Sequence, residues 1–104
     1  MYIMIKTSYP PDKTDEVGRK YLENLEKIPH DENLTTQLVL PAVYSNENGI
    51  CTITIDEVKT GKLEEALNHY TRLMIEFRNI VGFRYEIKSL LSVNEALPLI
   101  GMGS

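Results

Sequence analysis

The chain has 104 residues, 42% apolar and 25% charged, and carries a net charge of −4. That is enough for one domain with a thin core, burying about 60–65% of the surface its unfolded form exposes, and the composition excludes a disordered or collagen-like chain. The acidic balance argues against nucleic acid as a partner, and no apolar run approaches the roughly 20 residues of a membrane span.

The N-terminal residues go straight into a strand-like pattern, with none of the basic and apolar segments of a secretory signal. The single Cys51 has no internal partner for a disulfide. Together these features predict a cytoplasmic protein.

Residues 2–8 predict a first strand, apolar on both sides through Tyr2, Ile3, Met4 and Ile5, as suits a central position. Pro10 and Pro11 end it, because neither can donate to a ladder. Asp12 or Thr14 is the expected cap of a helix running to about residue 27, with Val17, Tyr21, Leu25 and Ile28 as its buried stripe and Gly18 as a close-packing point. Residues 37–45 read as a second strand, with Pro41 assigning it to an edge or a bulge. The turn Asn46-Glu47-Asn48-Gly49 joins it to a third strand at 51–58, forming a hairpin.

A long helix over 62–81 follows, with Leu63, Ala66, Leu67, Tyr70, Met74, Phe77 and Val81 on one face. Gly82 breaks it before a last strand at 83–89, and Pro98 truncates a short turn after residue 94.

The order β-α-β-β-α-β predicts one α+β domain over 1–104, with its ordered core at about 2–93. Its four strands form an antiparallel sheet in spatial order 4-1-3-2, with both helices on one face. The rows Cys51/Ile53/Ile55 and Phe83/Tyr85/Ile87 are expected beneath the helices. The other face then carries Thr52, Thr54, Asp56, Arg84, Glu86 and Lys88 with Tyr2, Met4, Val39, Pro41 and Val43. An apolar patch on an uncovered sheet predicts a twofold homodimer packed through that face.

With this order, a length near 100 residues, a long second helix and the run Gly82-Phe83-Arg84-Tyr85-Glu86 in the last strand, residues 2–93 resemble the dimeric α+β barrel superfamily of ferredoxin-like folds. That group includes antibiotic-biosynthesis-type monooxygenases and muconolactone-isomerase-like enzymes. The resemblance implies a small, often apolar ligand held between sheet and helices. It also implies either a cofactor-free oxygenase- or isomerase-like activity or simple binding; the alternative is a non-enzymatic dimerisation or regulatory module.

His69, at the border of the apolar stripe of the second helix, is the candidate acid–base group; otherwise it is a boundary histidine with its ring half-packed. Tyr21, Tyr70 and Tyr85, with Met74 and Phe77, are the candidate ligand-binding set, since buried phenols need partners; otherwise they are core aromatics. His30-Asp31-Glu32 lacks the spaced ligand set of a metal site and reads as solvated loop. No cofactor-binding motif is present, and Cys51 reads as an inert core thiol.

Overall fold

The computed structural model describes residues 1–103; Ser104, the end of the predicted domain and tail, lies outside the described residues. The elements are β1 (Tyr2–Tyr9), a 3₁₀ turn (Pro11–Lys13), α1 (Thr14–Lys27), β2 (Thr35–Asn46) and β3 (Gly49–Val58). They continue with α2 (Leu63–Ile75), β4 (Arg84–Leu90), α3 (Val93–Ala96) and a second 3₁₀ turn (Leu97–Ile100). The sheet order is β2-β3-β1-β4, antiparallel at every pairing, which is the predicted ferredoxin-like topology read from the other edge.

Ile3 and Ile5 of β1 are buried with Leu34, Ala66 and Tyr70, so α2 lies across the central strand. A second cluster of Tyr9, Val17, Phe77 and Ile80 closes the far end, and Met74 packs against both. Phe83 stacks between Phe77 and Tyr9, with ring centroids 4.5 and 6.3 Å away. Beyond Ile75 the helix loosens into i→i+3 turns, so Ile80 is buried and Val81 is exposed. Gly82 then reverses the chain at φ 86°, where a Cβ would collide with the Pro10 ring.

Two expectations about orientation are corrected. In β3 the register sets Asp56 beside Ile3 and Thr54 beside Ile5, so the row Thr52/Thr54/Asp56 faces the helices. Cys51, Ile53 and Ile55 therefore lie on the open face, the reverse of the expected arrangement, because the period of two moves every side chain together. Val43, paired with Thr52, likewise belongs to the helix side. In β4, Tyr85 and Ile87 share the Thr7 and Ile5 side as expected, leaving Arg84, Glu86 and Lys88 on the open face.

The second correction concerns α1. It buries Val17 and Asn24, while Tyr21, Leu22 and Leu25 stay exposed. The helix is rolled about its axis toward α2, where Asn24 Nδ2 donates to the Leu73 carbonyl at 3.3 Å and Lys27 Nζ pairs with Glu76 at 2.5 Å. A Cβ on Gly18 would touch nothing, so it is no packing point. Pro41 does fall on the edge strand β2, at one of two register shifts.

The open face reads in rungs: Val39–Ile55–Met4–Lys88, then Ala42–Ile53–Lys6–Glu86, then Tyr44–Cys51–Ser8–Arg84. Its β2, β3 and β1 portion is largely apolar. Its β4 edge is charged, with Lys88 Nζ 3.2 Å from Glu86.

Candidate functional site

The reversed row of β3 places a carboxylate inside the protein. Asp56 is 2% exposed, and the Tyr70 hydroxyl donates to its Oδ2 from α2. Tyr70 Oη lies 2.7 Å from Thr35 Oγ1, and Thr35 Oγ1 lies 2.9 Å from His30 Nε2. Thr35 is brought there by the turn at 31–34, in which the Leu34 and Thr35 amides donate to the Asp31 carbonyl and the Asn33 amide to its Oδ1. Four side chains from β3, α2, β2 and the connection after α1 thus form one hydrogen-bonded chain, running from a half-buried imidazole to a buried carboxylate.

The chemistry of its inner end gives the chain a direction. An ionised carboxylate only accepts, so Tyr70 donates inward and its oxygen accepts from Thr35. Thr35 then accepts from His30 Nε2–H. That selects one tautomer and leaves Nδ1 as the ring's free acceptor, the form a general base needs.

His30 borders an open hollow of about 390 Å³ between the end of α1 and α2, lined also by Lys27, Ile28, Asp31, His69 and Arg72. His69 shares this hollow, but its Nε2 is buried without a partner and its ring meets Tyr70 edge-on at 5.5 Å.

Burial, chiefly, raises the Asp56 carboxyl above its ordinary 3.8, against the Tyr70 hydrogen bond and the His30 charge, which pull it down. Burial and the bond to Asp56 push the Tyr70 phenol well up. Burial also lowers His69 below 6.5, with Arg72 and His30 acting the same way and Asp31 opposing.

These shifts have opposite consequences for stability. Folded Asp56 holds its proton more tightly than unfolded Asp56, so its contribution is full below pH 3.8 and is lost as pH rises through the raised value. Folded His69 resists protonation, so its contribution is full above pH 6.5 and is lost as pH falls through the lowered value. Urea titrations from pH 3 to 8 are expected to show Asp56→Asn removing the first slope and His69→Asn the second; unchanged profiles would contradict the assignment.

Of the candidate ligand set, Tyr70 is buried with its hydroxyl committed to Asp56 and Thr35, and Phe77 and Met74 pack in the core. Tyr21 is 41% exposed on α1, and Tyr85, 45% exposed, borders a separate hollow of about 260 Å³ with Lys6, Ser8, Cys51 and Arg84. The phenols of Tyr21, Tyr70 and Tyr85 therefore do not converge on one cavity, because α1 turns Tyr21 outward and the Tyr70 hydroxyl is taken by its strand partners. Three residues of the hydrogen-bonded chain were missed: His30, read as part of a solvated loop, Asp56, assigned to the open face, and Thr35, which was not singled out. Among the described residues no group of three or more His, Cys, Asp or Glu assembles as a metal site, and no helix is long and apolar enough to cross a membrane.

Neither a protein-family model nor a curated protein sequence matches the chain. Among solved structures it is similar to a formyltetrahydrofolate deformylase from Pseudomonas putida, with 12% identity and a TM-score of 0.45 over 86% of this chain. The match spans only 28% of the deformylase. It is also similar to protein Atu4242 from Agrobacterium tumefaciens, with 15% identity and a TM-score of 0.40, over 89% of this chain and 96% of that one.

Proposed function

We propose that the protein is a small-molecule-binding, cofactor-independent acid–base enzyme of the isomerase-like kind, working as a homodimer of the dimeric α+β barrel type. The observation that carries this reading is the chain His30–Thr35–Tyr70–Asp56 ending at a hollow. In the proposed reaction His30 Nδ1 takes a proton from a carbon next to a carbonyl. The C–H bond breaks, an N–H bond forms and the electron pair passes to the carbonyl oxygen as an enolate. The imidazolium is stabilised through two hydroxyls by the Asp56 charge, and in a β,γ-unsaturated carbonyl compound it returns the proton to the γ-carbon as the carbonyl re-forms and the carbon–carbon double bond moves into conjugation. An oxygenase would share only the first step.

The dimer is supported by surface area. The chain exposes 7014 Å², where a compact monomer of 11.9 kDa exposes about 5,950 Å². Its radius of gyration is 15.3 Å, against about 13 Å for a compact domain of this length. The excess of roughly 1,000 Å² is comparable to the about 800 Å² that one partner buries in a standard interface. The same excess also favours the second reading, a dimerisation module without catalysis.

Deuterium uptake from D₂O separates the two readings. Across a panel of small carbonyl compounds, the wild type is expected to incorporate deuterium beside the carbonyl. Thr35→Val, which cuts the chain while leaving His30 in place, should slow that uptake by about 100-fold. Equal rates in the two proteins, or no exchange in either, would leave only the dimerisation module.

A further inference from the structure

The hollow beside His30 is lined by charges of both signs that do not neutralise one another. From α2 it takes Arg72, and from the connection after α1 it takes Asp31 and Glu32. Among the described residues none of the three makes an ion pair, although they share one depression.

The guanidinium is left free for a local reason. The carboxylate one turn along the helix is Glu76, the i+4 neighbour that would ordinarily pair with Arg72. Lys27 Nζ from α1 holds Glu76 Oε1 at 2.5 Å, and Arg78 approaches its other oxygen at 3.9 Å. On the acidic side, Asp31 Oδ1 accepts the Asn33 amide, which fixes that carboxylate in its turn and leaves Oδ2 uncommitted among the described residues. His69 lies within reach of both signs. Burial lowers its pKa, Asp31 raises it, and Arg72 and His30 lower it again.

A ligand with a single charge suits one side of this hollow and is repelled by the other. An anion meets Asp31 and Glu32, a cation meets Arg72, and an uncharged molecule leaves all three to water.

We propose that this hollow binds a small aminocarboxylate zwitterion, its carboxylate on the Arg72 guanidinium and its ammonium against Asp31 and Glu32. A guanidinium presents the planar pair of donors that a carboxylate fits. An ammonium offers three donors, enough for oxygens of both acidic side chains. Lys27, held by Glu76, takes no part. The volume of about 390 Å³ falls at the small end for a ligand site and suits a molecule of a few carbons. The assignment names the ligand class of the proposed site and so rests on that reading, but it concerns binding alone.

The test is an NMR titration of the whole chain near neutral pH. Glycine, β-alanine and 4-aminobutanoate serve as zwitterions, with propionate and propylamine as their singly charged counterparts. The best of the zwitterions is expected to bind at least about 10-fold more tightly than propionate or propylamine and to shift the Arg72 and His69 side-chain signals. Arg72→Gln should bring that ligand down to the propylamine level, and Glu32→Gln, at an exposed position, should weaken it by about 3-fold. Singly charged ligands that bind as tightly as every zwitterion, or zwitterion binding indifferent to Arg72→Gln, overturn the assignment, and the ligand comparison needs no variant. Deuterium uptake on the same samples keeps the two proposals apart. A zwitterion preference without uptake beside any carbonyl supports the ligand class and sinks the proton-transfer reading. Uptake with no zwitterion preference sinks the ligand class alone.

Discussion

Tyr70→Phe is expected to destabilise the protein by about 3 kcal/mol near neutral pH, and by less at pH 5. The ring is retained, so the core around Ile3, Ile5 and Ala66 keeps its packing and the loss is confined to one hydroxyl. That hydroxyl is the partner of Asp56 Oδ2, and Asp56 Oδ1 has none. Its removal leaves a buried carboxylate with neither oxygen paired, the kind of change that costs about 3–5 kcal/mol when a charge is stranded and about 1–3 kcal/mol for a neutral group. The pH dependence follows because the Tyr70 hydrogen bond pulls the Asp56 pKa down. Without it the folded carboxyl rises further, the window in which folding takes up a proton widens, and the deficit grows with pH.

Asp56→Val in the Tyr70→Phe background should recover most of the loss, since removing both polar partners from a buried site is close to neutral. A double-mutant cycle by urea denaturation measures this directly. A coupling of about 1–3 kcal/mol is expected, and strictly additive losses would show that the two side chains do not depend on each other.

How far the sequence reaches can be judged from these same residues. The strands and both long helices are legible because their periods are clean, and Pro41 and the doubly apolar β1 placed edge and centre correctly. The facing of β3 was not legible from its own pattern. Cys51, Ile53 and Ile55 form the more apolar row, and apolar rows are assigned to the core by default. The contrary signals were spread over the chain. The polar row is bounded by Ile50 and Val58, which pack into the two helix-side clusters, and it contains Asp56, while the α2 stripe contains a phenol in need of a partner. Reading Tyr70 and Asp56 together, as two groups that solve each other's burial, would have set the register.

The site was harder to see. Tyr70 was legible as a buried residue on the α2 stripe, but His30 reaches Thr35 only because the turn at 31–34 folds back on the Asp31 carbonyl. No periodicity encodes a contact made by a turn. In α1, the side turned toward α2 carries Val17, Asn24 and Lys27, which meet Phe77, the Leu73 carbonyl and Glu76, while Tyr21 and Leu25 of the apolar pattern stay exposed.

The reversed facing of β3 also sharpens what the proposed dimer predicts. Ile53 lies half-buried at the middle of the open face, between Ala42 and Lys6 across the rung, so under a twofold axis it packs near its own copy. Ile53→Asp would place two carboxylates against each other in a largely apolar seam, removing about 1.5–3 kcal/mol of burial per subunit and adding unpaired charge. Native mass spectrometry is expected to find the wild type at twice 11.9 kDa and the variant at 11.9 kDa. Val39→Lys perturbs the same face from the edge strand, where a long charged side chain is tolerated in the monomer, and should weaken the dimer without unfolding it. Its circular dichroism serves as the control for folding. A wild type that runs at 11.9 kDa, or variants that stay paired, would mean that Ile53, Ile55, Met4 and Val39 are not the dimer seam.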